Sequence, residues 1–505
     1  MKAERLLVLI SMAGVLASCV RERPTEPLTV SAGTMSTLSG THYYVSPTGL
    51  ASNPGTQAAP WSLTRSLTLT GYSTPVGGDT VYLMNGVYSG DFRGFRSGTP
   101  GNPITYRQLS SAFLAATIDG TIRMDGADIV LRGFEIKRSD PTGTLPGVEA
   151  RGARQKYINL IVHDAAQQGI TFWDEAIDSE VYGCIVYNNG FHTNQDHGIY
   201  VHNSTGTKVI EQNVFFNNKS YGIHVYAQVG DPPQKNVQIL HNASFNNGTI
   251  SYDFAAKSNI LVGDKGIGGA TGMVVYYNNL YFSGTEGINL EMGYEEPGYQ
   301  STGHDMTVQA NHMTGGRIGM RILEWDLGHV EENYVALASQ YLVDLKDASP
   351  SGYFWAANEW NADSTSLLWW PEQQGSKLPM SWTNWKAATG LNCESECDMA
   401  FGALFRGQWN DYNTNKYEHG RGMIGVLNLT GQATDQIWLG SFVSPGETYK
   451  IYNVLNLNTP VATGTFNNAY ITLSMAAVIP PTPVNTQVHV GATPGPYFHV
   501  FIVTN

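Results

Sequence analysis

Short strings in which apolar and variable residues alternate recur along the middle of the chain, at intervals of 24 to 37 residues. Alternation with a period of two predicts short β-strands. Because the unit recurs at intervals of this size, each unit can bury its apolar face only by stacking on its neighbours. The pattern therefore predicts a solenoid of short strands. The strings are GITF from Gly169, GIYV from Gly198, GIHV from Gly222, NILV from Asn259, GINL from Gly287 and GMRI from Gly319.

A second repeated feature is a single asparagine in front of apolar residues in each unit. Amide side chains stacked at one corner of a solenoid can hydrogen-bond to one another and to the backbone of the turns. We therefore predict an all-β fold, a right-handed parallel β-helix over residues 41–400, with an asparagine ladder at one corner. The predicted ladder consists of Asn213, Asn242, Asn279, Asn311 and Asn333, with Cys184 at the equivalent place in an earlier unit.

The sequence after the repeats predicts a cap and a second module. The stretch from Ser351 to Cys397 is rich in tryptophan, and SWTNWKAATG from Ser381 predicts a short helix over the open end of the solenoid. Such a cap is needed because an uncovered last coil exposes unpaired strand edges. After a linker over residues 401–419, strands alternate with Gly, Pro and Asn turns, which predicts an antiparallel β-sandwich over residues 420–505. We expect this module to serve in packing rather than in carbohydrate binding.

The N-terminus predicts export. Basic residues followed by the apolar run Leu6–Val15 are typical of a secretory signal, here residues 1–18. The signal ends in LASC, which resembles the lipobox of bacterial lipoproteins and implies a lipid on Cys19. Residues 19–40 would then form a flexible tether. We expect an exported lipoprotein of the outer membrane or cell surface that contacts the membrane only through this anchor.

Composition and cysteine content limit the kinds of partner, disulfide and metal site that we expect. The formal net charge of −13 argues against nucleic acid as a partner. In an oxidising compartment, Cys393 and Cys397 of the CESEC string would form a small disulfide, whereas Cys184 would be a buried thiol. No cysteine or histidine spacing indicates zinc, and we expect a monomer.

One face of the predicted solenoid carries unusual chemistry. Alternate residues of a strand point to opposite faces, and neighbouring coils lie about 4.8 Å apart, so the outward residues of the strings form one patch. Insertions on both sides of these strands, such as NGFHTNQDH from Asn189 and GYEEPGYQSTG from Gly293, would wall the patch into a groove suited to a linear polymer. The predicted outward residues are Thr171, Trp173, Tyr200, His202, His224, Tyr226, Leu261, Asn289, Glu291, Arg321 and Glu324.

One reaction suited to this patch is β-elimination on a uronate polymer. It removes the C5 proton of the sugar, so it needs a base, an acid and a group that neutralises the sugar carboxylate. Calcium held by acidic side chains would assist the neutralisation. The candidates are His202, His224, Lys257 and Lys265 as base, Tyr200 and Tyr226 as acid, Arg321 and Asn289 as neutraliser, and Asp264, Glu291, Glu295 and Glu296 as calcium ligands.

Glycoside hydrolysis is the alternative enzymatic hypothesis. It requires two carboxyl groups about 5.5 Å apart for retention or about 6.5–9.5 Å apart for inversion. A third hypothesis is a non-catalytic surface protein that binds glycans in the same groove, and a fourth is a structural solenoid whose groove is incidental. The candidate carboxylates are Glu291, Glu324, Asp264, Asp174 and Asp196, and further candidate contacts to a sugar chain are Trp173, His197 and Lys257.

The start of the predicted solenoid carries a family resemblance. THYYVSPTGLASNPGT from Thr41, GDTVYLMNGVY from Gly78 and SGTPGNPITYR from Ser97 closely resemble the entrance of secreted parallel β-helix proteins, notably the family-nine polysaccharide lyases. The resemblance covers residues 42–140 and implies a capping turn and first coils, but no catalytic residue. DFAAK from Asp253 is similar to a family-nine string, without the acidic calcium cluster around it.

Motifs of two other β-helix enzyme families are absent from the sequence. The paired-aspartate signature of polygalacturonase-type hydrolases does not occur, nor does the Asp-Pro-His motif of alginate epimerases. The sequence thus predicts an exported polysaccharide-cleaving enzyme, with β-elimination ahead of hydrolysis.

Overall fold

The computed structural model describes residues 40–140, 142–193, 195–252, 257–265, 268–294, 302–346, 352–362, 381–391, 399–401 and 408–505. The predicted signal, the predicted lipid attachment at Cys19, the predicted Cys393–Cys397 disulfide and the predicted calcium ligands Glu295 and Glu296 lie outside these residues and remain predictions. Among the described residues, every helix is too short or too polar to span a bilayer.

Three parallel sheets run the length of the solenoid, and each strand pairs with its equivalent one coil later. Sheet A contains β1 (His42–Val45), β2 (Thr80–Leu83), β5 (Ile104–Gln108), β8 (Ile129–Arg132), β11 (Lys156–Ile158), β14 (Ser179–Tyr182), β17 (Lys208–Glu211), β20 (Val237–Leu240), β23 (Thr271–Tyr276), β26 (His304–Gln309), β29 (Gly328–Glu331) and β32 (Tyr353–Ala356). Sheet B contains β3 (Gly86–Ser89), β6 (Ala116–Asp119), β9 (Glu135–Lys137), β12 (Ile161–His163), β15 (Ile185–Tyr187), β18 (Val214–Phe216), β21 (Ala243–Phe245), β24 (Asn279–Phe282), β27 (His312–Gly315), β30 (Tyr334–Ala336), β33 (Glu359–Ala362) and β34 (Met399–Phe401). Sheet C contains β4 (Phe92–Gly94), β7 (Ile122–Met124), β10 (Val148–Ala150), β13 (Ile170–Phe172), β16 (Ile199–Val201), β19 (Ile223–Ala227), β22 (Ser258–Asp264), β25 (Ile288–Met292), β28 (Ile318–Leu323) and β31 (Tyr341–Lys346).

The core of the solenoid is made by the inward residues of these short strands. On sheet C, Val148, Ile170, Ile199 and Ile223 stack one above another and are fully buried. The repeated strings found in the sequence correspond to β13, β16, β19, β22, β25 and β28. The prediction of a right-handed parallel β-helix is therefore confirmed.

An asparagine ladder runs along the corner between sheets A and B. Each Nδ2 donates to the next Oδ1 at 2.9–3.0 Å, and the Cys184 amide donates to Asn213 Oδ1 at 2.9 Å. One predicted member is wrong. Asn278, not Asn279, lies in the ladder, because Asn279 already begins β24 and points outward to Asp411 at 2.9 Å. The ladder consists of Asn213, Asn242, Asn278, Asn311, Asn333 and Asn358.

A second asparagine ladder, which the sequence analysis missed, runs along the corner between sheets B and C. Asn289 is fully buried there, where it accepts from Asn259 at 3.0 Å and donates to the Gly315 carbonyl at 3.0 Å. The prediction that Asn289 faces the groove is therefore wrong. The ladder consists of Asn189, Asn218, Asn247, Asn259 and Asn289.

A lysine side chain lies inside the solenoid. Lys208 on β17 is fully buried, and its Nζ donates to the backbone carbonyls of Trp173, His202 (2.5 Å) and Phe172 (3.5 Å). Burial lowers the pKa of Lys208 to about 7. The side chain thereby connects the turns that follow β13 and β16.

We expect Lys208→Met to lower the free energy of unfolding by about 3 kcal/mol, because an unsatisfied buried carbonyl costs roughly 1–3 kcal/mol. The effect also depends on pH. Since the lysine pKa is about 10.4 in the unfolded chain and about 7 in the fold, the unfolded state binds more protons between these values, and the stability of the unmodified protein rises with pH across that window. Thermal unfolding from pH 6 to 10 would test this. The exposed Lys235→Met is the control, and equal melting of both variants would contradict the prediction.

A five-stranded antiparallel sheet follows the solenoid in the order β35 (Gln408–Thr414), β36 (Gly422–Asn428), β41 (Phe498–Thr504), β38 (Thr448–Asn453) and β39 (Ala462–Thr465), beside a ribbon of β37 (Thr434–Ile437) and β40 (Ile471–Ser474). Strand β35 lies within the segment 401–419 that was predicted to be a linker. It is a strand because it pairs along its whole length with β36. The sheet packs on sheet B through one apolar cluster that includes Ile185, Phe216, Phe245, Phe498 and Val500.

Helices occur near the two ends of the described solenoid. Helix α1 (Leu63–Leu67) is capped by the Ser62 hydroxyl, which accepts from the Arg65 amide at 3.4 Å. Helix α2 (Trp382–Thr389) lies in the segment predicted to be helical. Its Trp385 is buried in the solenoid core, with its ring 5.6 Å from that of Trp355. Helix α2 therefore covers the apolar end of the last coils.

Candidate functional site

The outward residues of sheet C form two parallel rows. The cross-strand pairing confirms the predicted alignment of the strings except for GINL, where Glu291 and not Asn289 lies beside Leu261 and Arg321. It also adds Asp344, because β31 continues the sheet by one coil beyond β28. The second row contains Trp173, His202 and Tyr226, which follow paired residues of β13, β16 and β19. The first row consists of Arg93, Arg123, Glu149, Thr171, Tyr200, His224, Leu261, Glu291, Arg321 and Asp344.

The N-terminal part of the first row is a ladder of paired charges. Arg123 lies 2.9 Å from Asp125 and 3.5 Å from Glu149, and Arg151 lies 2.8 Å from Glu149. Trp173 donates its indole N–H to Glu149 at 3.0 Å, and the Arg151 guanidinium lies 4.7 Å from the centre of its ring. Each of these charges therefore has an opposite charge beside it, and one face of Trp173 is covered.

The C-terminal part of the row is a triad of charges in which Glu291 and Asp344 are buried and Arg321 is partly buried. Arg321 Nε donates to Asp344 at 2.8 Å, Arg321 Nη1 lies 3.6 Å from Glu291, and the Ser258 hydroxyl donates to Glu291 at 2.6 Å. Burial raises the pKa of Glu291, and Arg321 opposes this. The predicted neutraliser Arg321 is therefore already paired with two carboxylates. Glu324, expected beside it, lies instead 3.6 Å from Lys346.

The centre of the row contains a compact group of rings, in which the His197 and His224 ring centres lie 4.1 Å apart. The Tyr221 ring lies 4.8 Å from His224 and 5.2 Å from His197, and Lys257 Nζ lies 5.5 Å from the centre of the Tyr221 ring. Both histidines are buried, and neither Nδ1 has a hydrogen-bond partner within the described chain. We call His197, Lys219, Tyr221, His224 and Lys257 the central cluster.

Within the described residues, the positive charge of the central cluster is not compensated by an ion pair. Burial and the nearby ammonium of Lys219 lower the pKa of Lys257, and Glu291 opposes them. Both lysines are buried, yet in the part of the chain that the structure describes neither ammonium group has a carboxylate at ion-pair distance. Burial, helped by Lys257, lowers the pKa of His224 to about 3 and that of His197 well below its ordinary value, so both imidazoles are neutral at pH 7.

Other predicted catalytic side chains are engaged by the backbone. The Tyr200 hydroxyl donates to the Tyr226 carbonyl at 2.9 Å, and burial raises the pKa of Tyr200 to about 12. His202 Nε2 donates to the Pro232 carbonyl at 3.1 Å. Tyr226 instead stacks on His224 with ring centres 5.0 Å apart, and no hydrogen bond to a described residue occupies its hydroxyl. Tyr226 is therefore the predicted acid best placed to act on a bound molecule.

The predicted aspartates hold loops beside the groove. Asp174 accepts from the Ser204 amide at 2.6 Å, Asp196 from the His192 amide at 2.8 Å, and Asp264 from the Gln234 amide at 2.8 Å. Among the described residues, no group of three metal-binding side chains is close enough to hold an ion. Because Glu295 and Glu296 lie outside those residues, calcium binding stays a prediction.

Most of the groove from Thr171 onward was predicted from the sequence, but two residues of the central cluster and one of the triad beside it were not. Lys219 and Tyr221 lie in the turn before β19, outside the repeated string, and Asp344 lies on a strand without the leading glycine of the strings. Of these three residues, Tyr221 was the easiest to predict from the sequence, since it comes directly before GIHV just as His197 comes directly before GIYV. Lys265 lies 4.7 Å from the Tyr294 ring, away from the central cluster.

Comparison with known proteins agrees with the fold. A family model described as a right-handed β-helix region matches residues 119–267. A search of curated proteins found no significant match.

Several solved structures are similar to this chain at low identity. Pectate lyase Pel9A is 16% identical over 67% of this chain and 78% of that chain, with a TM-score of 0.41. GH136 lacto-N-biosidase from Eubacterium ramulus is 15% identical over 67% and 68%, with a TM-score of 0.42. The A-module of mannuronan C-5 epimerase AlgE4 from Azotobacter vinelandii is 14% identical over 59% and 90%, with a TM-score of 0.37. Similarities this low do not bear on the activity of this chain.

Proposed function

We propose that this protein is an exported, lipid-anchored enzyme that cleaves a uronate-containing polysaccharide by β-elimination in the groove on sheet C. The observation that supports this most is the pair of lysines Lys219 and Lys257, whose side chains are largely buried and whose ammonium groups have no carboxylate partner within the described chain. A buried charge is stabilised when an opposite charge pairs with it. The carboxylate of a uronate residue supplies that charge.

The neutral imidazoles support a sugar ligand at the same place. The buried Nδ1 atoms of His197 and His224 have no hydrogen-bond partner among described residues, and such atoms cost about 1–3 kcal/mol unless a ligand or water satisfies them. Sugar hydroxyl groups satisfy both donors and acceptors. Aromatic rings surround the cluster, and Tyr226 and Tyr294 lie 5.3 Å apart beside it.

The central cluster and Tyr226, which stacks on His224, together supply the groups that elimination requires. Lys257, whose pKa is lowered by burial and by Lys219, takes the C5 proton in its neutral form. Lys219 faces the sugar carboxylate and stabilises the negative charge that develops when C5 loses its proton. A double bond then forms between C4 and C5, the bond from C4 to O4 breaks, and the Tyr226 hydroxyl gives its proton to O4.

Hydrolysis is the second candidate because burial raises the pKa of Glu291, as a general acid requires. The nearest described carboxylate on the row is Asp344. The Arg321 guanidinium lies between the two and bonds to both, so the gap is occupied where a glycosidic bond and a water would have to fit. β-Elimination is therefore the better account of this face.

The decisive test incubates the protein from Thr41 onward with uronate and neutral polysaccharides, with and without calcium. Ultraviolet absorbance of an unsaturated product and the number of reducing ends are recorded together. Both signals rise if the protein is a lyase. Reducing ends without absorbance would identify a hydrolase, and retained glycan binding without either signal would identify the non-catalytic binding protein.

Lys219→Gln is expected to lower kcat/KM on the uronate polymer by about 10- to 100-fold, because a hydrogen bond to a charged group contributes roughly 1.5–3 kcal/mol and about 1.4 kcal/mol is tenfold. On a methyl-esterified polymer, which lacks the carboxylate charge, the variant and the unmodified protein should differ little. The exposed Lys235→Gln is the matched control. Equal losses on both polymers would show that Lys219 does not pair with the substrate carboxylate.

A further inference from the structure

A long segment of the C-terminal module lies along the solenoid beside the groove. Residues 479–495, which we call the strap, join β40 to β41 and contain no strand. Connections of this length without regular structure are uncommon in compact domains and are often functional. The strap contains Pro480, Pro481, Pro483 and Pro494, which favour an extended chain.

The strap is fixed to successive coils at the corner between sheets B and C. The Val484 amide donates to Asp164 at 2.8 Å, and Asn188 Nδ2 donates to the Pro481 carbonyl at 3.0 Å. Further along, Asn246 Nδ2 donates to the Ala492 carbonyl at 2.9 Å. The strap therefore crosses the coils that carry the groove rather than lying on the module alone.

Two contacts of the strap reach the segments that lead into the central cluster. The His489 amide donates to the Ile250 carbonyl at 3.0 Å, and Val488, only 6% exposed, packs with Ala166, Phe191 and Ile250 in a small apolar cluster separate from the solenoid core. Phe191 begins the segment that ends at His197, and Ile250 begins the one that ends at Lys257.

We propose that the strap is a positioning element of the site. Val488 packs on Phe191 and Ile250 and so fixes residues 191–193 and 250–252 against each other. The amides of His192 and Thr193 in turn donate to Asp196, so that the neighbouring His197 is held facing His224. The expected effect of the strap on kcat rests on the proposed function, whereas its effect on the structure of these residues does not. The C-terminal module is then part of the active unit, and its removal would leave the two segments without their shared apolar contact.

The test compares Val488→Ala with Val490→Ala in the full chain, because both lose the same atoms and Val490 is 40% exposed. We expect amide hydrogen exchange in residues 189–193 and 249–252 to become at least tenfold faster in V488A and to stay unchanged in V490A. kcat on the uronate polymer should fall about tenfold in V488A alone, with similar melting temperatures for the two variants. Ile250→Val, a smaller truncation of the same contact, should give an intermediate change in exchange.

Unchanged exchange in V488A would overturn the proposal, and so would faster exchange with an unchanged kcat. Because hydrogen exchange needs no substrate, this measurement also separates the two proposals. If the unmodified protein cleaves no uronate polymer, the proposed function fails, while exchange still shows whether the strap fixes the two segments.

Discussion

Replacing Lys257 with alanine is expected to lower kcat on a uronate polymer by about 10²–10⁴-fold, the usual contribution of a general base. Lys257→Arg should be nearly as inactive, because a guanidinium keeps the positive charge but does not lose its proton near neutral pH. The K257R variant should still bind the polymer. Lys235→Ala, which changes an exposed lysine, is the control. Turnover and binding would be measured separately for each variant, and an active K257R would show that Lys257 supplies only charge.

The pH dependence of kcat gives an independent test of the same role. A lysine base acts in its neutral form, so the rate should rise with pH. The midpoint should lie below the ordinary lysine pKa of about 10.4, since burial and Lys219 lower the pKa of Lys257. Lys219→Gln removes a neighbouring positive charge, which raises the pKa of Lys257 and moves the midpoint to higher pH. A midpoint that stays in place would contradict this coupling.

The solenoid could be predicted from the sequence because its physical determinants are periodic. The inward and outward residues of straight strands alternate, so Tyr200, His224 and Glu291 were placed correctly on one face. Asn289 was not placed correctly, although it is two residues before Glu291 and alternation would put both side chains on the same face. It lies at the start of β25, next to the corner between sheets B and C, and its amide bonds there to Asn259 and to the Gly315 carbonyl. Alternation holds in the middle of a strand and fails at its first residues beside the corner.

The central cluster was only partly predictable, because four of its five residues lie outside the strands. Lys219 and Tyr221 precede β19 in a turn whose direction is set by the second asparagine ladder, through Asn218. No periodic rule assigns a direction to side chains in such a turn. The pairing of Arg321 was also hidden, since Asp344 lies on a strand one coil beyond the recognised strings. Arg321, which was expected to bind a substrate carboxylate, is therefore paired with carboxylates of the protein itself.

Replacing Arg321 with methionine is expected to lower the free energy of unfolding by about 3–5 kcal/mol, the usual cost of removing one partner from a buried ion pair. Glu291 and Asp344 would then remain buried without their shared cation. The triple variant E291Q/R321M/D344N has no charge left in the triad and should recover much of the loss. Thermal and denaturant unfolding of the two variants would measure the difference.

The stability of R321M distinguishes a structural role of Arg321 from a role in binding substrate. A neutraliser of the sugar carboxylate would raise KM when removed and leave stability nearly unchanged. The loss of stability should also shrink at low pH. Without Arg321, the pKa of Glu291, already raised by burial, rises further above its unfolded value, so the folded variant binds more protons than the unfolded chain and becomes more stable as the pH falls through that range. R321M with normal stability and a raised KM would move the carboxylate-binding role from Lys219 to Arg321.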